Sequence, residues 1–292
     1  MRAARSACLS CRWALRWKSM LYLLFALFDR LLAPAPPAGR CDWLTAWVYA
    51  HRGLHDGRAR PGESGRVENS PSAFAAAIAA GLGIECDVQR SRDGLAVVFH
   101  DEDLARLTGR EGRVCDESAG VLAQIPLTGS GETIPLLGAL LAQVAGRVPL
   151  LIEVKIARGS RVTPLCLAVH RALEGYAGPV AVMSFDPHVS SWFGRYSPHI
   201  VRGLVMTEAG WRTLGAKARR HIALWRARPD FLAYDIDDIG GSFASAQRRR
   251  GIPLLTWTVD SAPKATRASA RADAPIAEGE GLALLIGQGT AA

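Results

Sequence analysis

From residue 47 onward, short apolar runs alternate with Ala-rich stretches of helical length, and this alternation constrains the fold more than any other feature. Strands separated by helices lie parallel, joined by crossovers, with the helices covering the sheet. The candidate strands are Trp47 to Ala50, Ile84 to Val88, Val97 to His100, Leu150 to Val154, Val180 to Phe185, Gly203 to Met206, Phe231 to Ile236, Leu254 to Val259 and Pro275 to Glu278. That is one more than the eight strands of an α/β TIM (β/α)8 barrel.

The spare strand is Val97 to His100. Only a polar turn around Asp93-Gly94 separates it from the strand before it, whereas a parallel crossover takes about a dozen residues or more. The two are expected to form an antiparallel hairpin above the barrel, with His100 returning to the mouth near Glu85 and Asp87. Ser70 and Pro71 read as an N-cap and first helical residue for Ser72 to Ala80, with Gly81 and Gly83 stopping that helix. Residues 101–133 read as a polar, Gly-rich insertion over the mouth, helical in part around Asp116 to Gln124. The resulting organisation is a lead-in over 1–40, a barrel over 41–280, and a tail over 281–292 that begins as a short helix after Gly279.

A length of 292 residues suits one such barrel, since these domains commonly take about 250. Hydrophobic residues make up 49% and charged residues 21%, which excludes a disordered chain. The net charge of +8 raises the question of nucleic acid. No element interleaves basic and aromatic residues as binding modules do, and only four of the 35 basic residues are lysine, so the charge reads as an Ala-, Gly- and Arg-rich composition. Nucleic acid is therefore not an expected partner.

The six cysteines are scattered, and the C-x-x-C pair Cys8 and Cys11 has no second pair to complete a zinc site. A cytoplasmic protein with reduced thiols is the expectation. At the N-terminus, Arg2, Arg5, Arg12, Arg16 and Lys18 precede the apolar run Met20 to Phe28, which Asp29 and Arg30 cut short. The run falls below the roughly 20 residues that span a bilayer. It reads as an amphipathic lead-in helix with a basic extension, Met20 being a second candidate start, and peripheral membrane contact is expected there. Export is the lesser reading, prompted by Ala33-Pro34-Ala35.

The polar residues cluster at the ends of the candidate strands. Glu85 and Asp87 are two apart on one strand, so both point to one face, and Glu153 and Lys155 repeat that spacing on another. Buried like charges are costly unless neutralised. Three carboxylates from neighbouring strands would form an oxygen-rich shell for Mg2+ or Ca2+, the bland alternative being surface acids and an i, i+2 ion pair. His51 and His100 are the candidate proton carriers, because histidine titrates near neutrality. Arg52 and Lys155 are suited to a phosphate, one as a fork and the other as a point charge. Glu68 is expected to orient His51 and the metal region at a substrate-binding position, an Asx or N-terminal cap contact being the equal structural alternative for Glu68 and Asn69. Trp257 offers an apolar wall for substrate, or simply core packing. Ser184, Phe185, Asp186 and Asp235 are expected only to line the pocket.

In order and spacing, the strings HRG (51–53), ENS (68–70), ECDV (85–88), VVFHD (97–101), IEVK (152–155), MSFD (183–186) and LLTWTV (254–259) resemble the glycerophosphodiester phosphodiesterases. The resemblance covers about residues 47 to 280. It implies a TIM barrel with a small insertion, which hydrolyses small-molecule glycerophosphodiesters to glycerol 3-phosphate and an alcohol with a divalent cation. It implies His51 and His100 as the acid and base, Glu85, Asp87 and Glu153 as metal ligands, and Arg52 and Lys155 at the phosphate.

The chain departs from the family pattern in three places. Val67 and Ser70 replace a common proline and threonine, the link from HRG to ENS is long, and Glu278 stands near the usual position of a C-terminal aspartate. Two other readings compete: a phospholipase D-like relative acting on lysolipids, and a barrel that only binds a ligand.

Overall fold

The computed structural model describes residues 24–56, 65–209 and 213–289. Its strands are β1 (Tyr49–Ala50), β2 (Gly83–Arg90), β3 (Ala96–Val98), β4 (Leu150–Val154), β5 (Val180–Ser184), β6 (Val201–Met206), β7 (Phe231–Asp235), β8 (Leu254–Val259) and β9 (Ala274–Ala277). The sheet runs β1-β9-β8-β7-β6-β5-β4-β2-β3, and an additional β1–β2 pairing closes it. The pairings around the ring are all parallel. The remaining strand, β3, is antiparallel to β2, with Val88 opposite Val98. The fold is therefore the expected closed barrel plus hairpin.

A helix follows each barrel strand: Pro71–Ala79, Leu137–Val144, Thr163–Leu173, Pro187–Tyr196, Leu214–Ala227, Ser242–Arg249, Ala262–Arg271 and Gly279–Gly289. The local chemistry of their starts is explicit. The Ser70 side chain accepts from the Ala73 amide ahead of Pro71 at the first helical turn, and Asp186 does the same for His188 ahead of Pro187.

Alternation along the strands decides what faces inward. On β4, Leu150, Ile152 and Val154 pack outward against the helices, while Leu151 joins the barrel interior with Tyr49, Ala181, Met183, Val205, Phe231, Ala233, Leu255 and Ile276. Glu153 and Lys155 continue the inward phase, as Glu85 and Asp87 do on β2. Each fully buried Leu, Ile or Phe contributes roughly 1.5 to 3 kcal/mol, so the outward and inward apolar sets hold the polar mouth on a rigid frame.

The barrel floor is plugged from the N-terminal side. The Tyr49 ring fills the space left by Gly83, and its hydroxyl donates to the Leu44 carbonyl at 2.9 Å in the short helix Asp42–Thr45. Arg40 ties the same segment to Asp230 at 2.9 Å and to the Pro198 carbonyl at 2.8 Å.

Several elements differ from the sequence expectation. β1 has two residues rather than four, and β6 begins at Val201, two residues early, because Arg202 turns outward to pair with Asp230 at 3.3 Å. The insertion is not a loose polar cover. It holds short helices at Ala105–Thr108 and Ala119–Leu122, and Phe99, Leu104, Val114, Leu122, Leu127 and Ile134 form its own core. Residues 281–289 form most of the last helix, with Leu282 and Leu285 buried in the outer core. A helix over 24–32 precedes the barrel, and the expected basic extension lies outside the described residues.

Candidate active site

The inward phase of β2 and β4 builds the centre of the site. Asp87 lies opposite Glu153 in the parallel register, so Glu85, Asp87 and Glu153 bring oxygen atoms within 4.8 Å of one another. Glu85 and Asp87 are each 1% exposed. Lys155 reaches back between two of the carboxylates, with Nζ 3.0 Å from Asp87 Oδ1 and 2.8 Å from Glu153 Oε1.

The β1 loop supplies the next layer through an unusual backbone. Arg52 and Asn69 both adopt left-handed conformations, with φ of 55° and 57°, a region that non-glycine residues enter at a cost of about 1 kcal/mol or more. The Asn69 amide donates to the Arg52 carbonyl at 2.9 Å and thereby locks the two turns together. The Arg52 amide then donates to Glu85 Oε2 at 3.0 Å, and Asn69 Nδ2 donates to Asp87 Oδ2 at 2.9 Å. Gly53 is required beside them, because a Cβ there would lie 2.9 Å from the Ala73 backbone.

The electrostatics follow from crowding. Burial, then the charges of Asp87 and Glu153, push the Glu85 carboxyl well above the usual carboxylate range. Burial also raises Glu153, with Lys155 opposing and Asp87 reinforcing. Burial pushes Asp87 upward too, but Lys155, Arg52 and the histidines outweigh it and hold Asp87 below its ordinary value. Asp87 and Glu153 in turn keep Lys155 protonated against burial. The chain's own cations thus neutralise only part of the cluster. An all-oxygen donor set with surplus negative charge fits a hard divalent cation, and Glu85, Asp87 and Glu153 are the residues that would hold it.

The two expected proton carriers occupy the rim. His51 Nδ1 lies 2.6 Å from Glu278 Oε2, and its Nε2 lies 4.0 Å from Glu85 Oε2. His100 Nδ1 lies 2.7 Å from Asp101 Oδ1. Burial pushes Asp101 upward, but Arg106 and His100 hold it below the usual range. Burial likewise opposes ionisation of Glu278, but His51 and His55 keep its carboxyl low. Both carboxylates are therefore acceptors only, so each Nδ1 carries the hydrogen and each Nε2 is left for proton transfer. Burial lowers the His100 pKa, which favours the neutral imidazole, although Asp87 opposes this.

Two lobes make up the mouth. One, of about 570 Å³, is lined by His51, Arg52, His55, Trp257 and Glu278, and the other, of about 610 Å³, by Glu153, Lys155, Ser184, Phe185 and Asp186. His100, Asp101 and Arg106 line both lobes. Trp257 donates from Nε1 to the Ala233 carbonyl at 3.0 Å and meets Phe185 edge-on at 5.4 Å, so it walls the cleft while anchored to the barrel. Asp235 lines the first lobe.

Glu68 lines the first lobe and reaches the metal region through Arg52. Its carboxylate accepts from Arg52 Nη1 at 2.7 Å and from Arg106 Nη1 and Nη2 at 2.8 and 2.7 Å, so it holds arginines rather than His51. A carboxylate saturated by two guanidiniums positions them and makes a poor direct contact for an anion. Residues not assigned a site role from sequence include His55, Arg106 and Gln89, the last lining the second lobe. Nothing in local pattern marks them, whereas Asn69 stands beside Glu68 in the ENS string.

Fold and site together define an α/β barrel with a buried carboxylate cluster at the C-terminal ends of its strands. Residues 51–276 match the model of the glycerophosphoryl diester phosphodiesterase family. The chain belongs to that family.

A protein from Caldanaerobacter subterraneus subsp. tengcongensis, called glycerophosphodiester phosphodiesterase, is 29% identical over 223 residues, 73% of this chain and 85% of its own. One of the same name from Bacillus altitudinis is 31% identical over 163 residues, 52% of this chain and 63% of its own. Among solved structures, an Oleispira antarctica phosphodiesterase in complex with the product sn-glycerol-3-phosphate matches with a TM-score of 0.68 at 22% identity, over 84% of this chain and 97% of that one. A glycerophosphodiester phosphodiesterase from Thermotoga maritima matches at 0.65 and 23%, over 82% and 97%. These likenesses show a shared fold.

Proposed function

We propose that the protein hydrolyses glycerophosphodiesters to sn-glycerol 3-phosphate and an alcohol, with Glu85, Asp87 and Glu153 holding Mg2+ or Ca2+. The observation that carries this reading is the pairing of a buried three-carboxylate cluster with two rim histidines, each oriented by its own carboxylate. A bound divalent cation would supply positive charge against the phosphate oxygens.

The chain's own residues account for the rest. Arg52 and Lys155 flank the carboxylates and offer a fork and a point charge to the remaining phosphate oxygens. The neighbouring glycerol hydroxyl attacks phosphorus and expels the alkoxide of the alcohol, leaving a cyclic phosphate that water then opens. One histidine accepts the hydroxyl proton through Nε2 while the other protonates the departing alkoxide, and their roles reverse in the second step. Trp257 and Phe185 present apolar surface to the glycerol carbons.

Phosphorus NMR of glycerophosphocholine digests tests the bond that is cut. The expected product is glycerol 3-phosphate with free choline, preceded by the cyclic phosphate. Release of phosphocholine would place cleavage on the other side of phosphorus and overturn the proposal. Turnover of lysophospholipids in preference to their deacylated forms would favour the lysolipid reading.

A further inference from the structure

The helix over 24–32 turns Asp29 inward and four of its large apolar residues outward. Asp29 is 3% exposed and accepts from Trp225 Nε1 at 2.7 Å and Gln247 Nε2 at 2.8 Å, while pairing with His221 Nδ1 at 2.8 Å. Phe25, one turn away, stacks on His221 at 4.2 Å. Arg250 Nη1 fastens the end of the helix by donating to the Asp29 and Ala33 carbonyls at 3.0 and 2.7 Å. The inner face is therefore fully engaged.

On the opposite face, Leu24, Leu27, Phe28 and Leu31 are 43%, 52%, 42% and 66% exposed. Spaced i, i+3, i+4 and i+7, they form one continuous stripe. The stripe extends onto the neighbouring helix Leu214–Ala227. Phe28 lies 5.8 Å from the Trp225 ring, and Ile222, beside His221, is 45% exposed.

The exposed charged residues of these two helices are all basic. Arg30 is exposed beside it, and Arg219 and Arg226 are exposed about one turn to either side of Ile222. The preceding sequence carries Arg2, Arg5, Arg12, Arg16 and Lys18 and no acid before Asp29.

We propose that this face seats the protein on an anionic lipid bilayer surface. Exposed contiguous apolar side chains rimmed by polar residues mark an interaction site, and an apolar stripe with basic flanks is the pattern that lies in the plane of a charged membrane. Among the described residues no helix is long and apolar enough to cross a bilayer, so the contact is peripheral. A symmetric second copy is a poorer occupant, because an isologous contact would bring the arginine rim against itself. The helix packs on the outer side of the barrel, beside Leu214–Ala227 and Ser242–Arg249, and none of its residues lines the mouth. Docking therefore leaves the active site open, and the inference stands independently of the proposed reaction.

The test is co-sedimentation of the full chain with vesicles of mixed phosphatidylglycerol and phosphatidylcholine, or of phosphatidylcholine alone. A Leu27→Glu/Leu31→Glu double variant is run in parallel, with thermal melting and sedimentation velocity as controls. The expected result is binding to the anionic vesicles, weakened by about fivefold for each basic residue that loses its lipid charge on neutral vesicles. The double variant should bind at least about tenfold more weakly with melting unchanged, since both side chains are exposed. No binding to anionic vesicles, equal binding to neutral ones, or undiminished binding by the variant would overturn the proposal. A wild-type dimer that the double substitution dissolves would also overturn it and give the face to a second copy.

Discussion

Glu278 Oε2 lies 2.6 Å from His51 Nδ1 and 3.4 Å from His55 Nε2, so one carboxylate at the end of β9 gathers two imidazoles from the loop after β1. The short contact fixes the His51 tautomer with Nε2 turned towards Glu85. This makes Glu278 a positioning residue, acting where the family often has an aspartate. Glu278→Gln can also present an N–H to His51 and no longer enforces the tautomer. We expect kcat to fall on the order of 10²-fold with KM nearly unchanged, less than the loss of about 10⁴ when the carboxylate of a serine-protease triad is neutralised. Glu278→Asp should recover part of that loss. Wild-type kcat in the Gln variant would refute the assignment.

Glu68 gives a pH signature in stability. Burial alone would raise its carboxyl, but the hydrogen bonds from Arg106 and the charge of Arg52 bring it down from 4.5 to about 2. Its contribution is therefore fully present above the unfolded value and is lost as pH falls through the folded one. Its side chain is 12% exposed, and the shift corresponds to at most roughly 3 kcal/mol. Glu68→Gln should melt below wild type at pH 7, and the gap should close between pH 4.5 and about 2. A gap that persists unchanged in acid would contradict the pairing.

The barrel floor offers a packing test. A Cβ on Gly83 would sit 2.6 Å from the Tyr49 ring, which is wedged against the interior and tied to Leu44. Gly83→Ala should lower stability by about 1 to 3 kcal/mol as overpacking, read from the denaturant midpoint. An unchanged midpoint would mean that the ring has room to move.

Much of this architecture is legible in the chain because two patterns repeat cleanly. Leu150–Val154 and Leu254–Val259 are strands with the expected bounds, since parallel strands covered on both faces are rich in Leu, Ile and Val and the few polar residues within them do not break the pattern. The turn at Asp93-Gly94 marks the hairpin, and the i, i+2 acids mark the cluster, because strand period and charge cost point the same way.

The rest lacked a local signal. Arg202 interrupts the start of β6 but is neutralised by Asp230 from across the sheet. Four glycines obscure the final helix, yet at Gly281 a Cβ would lie 2.4 Å from the Val259 carbonyl, so close approach excludes a larger residue. The core of the insertion uses apolar residues at irregular spacing, which neither strand nor helix period detects. His55 and Arg106 join the site through partners distant in sequence, Glu278 and Glu68, which only the closed barrel brings near.

On the proposed reading, the cluster of Glu85, Asp87 and Glu153 acts through a divalent cation on a glycerophosphodiester. The most direct measurement is the rate of glycerol 3-phosphate release from glycerophosphocholine by the purified full chain. It is made as prepared, after chelation, and after adding back Mg2+ or Ca2+, with Asp87→Ala alongside. Activity should vanish with chelator, return with the cation, and be absent from the Asp87 variant at every cation concentration. Turnover undiminished by chelator, or retained by that variant, would contradict the account.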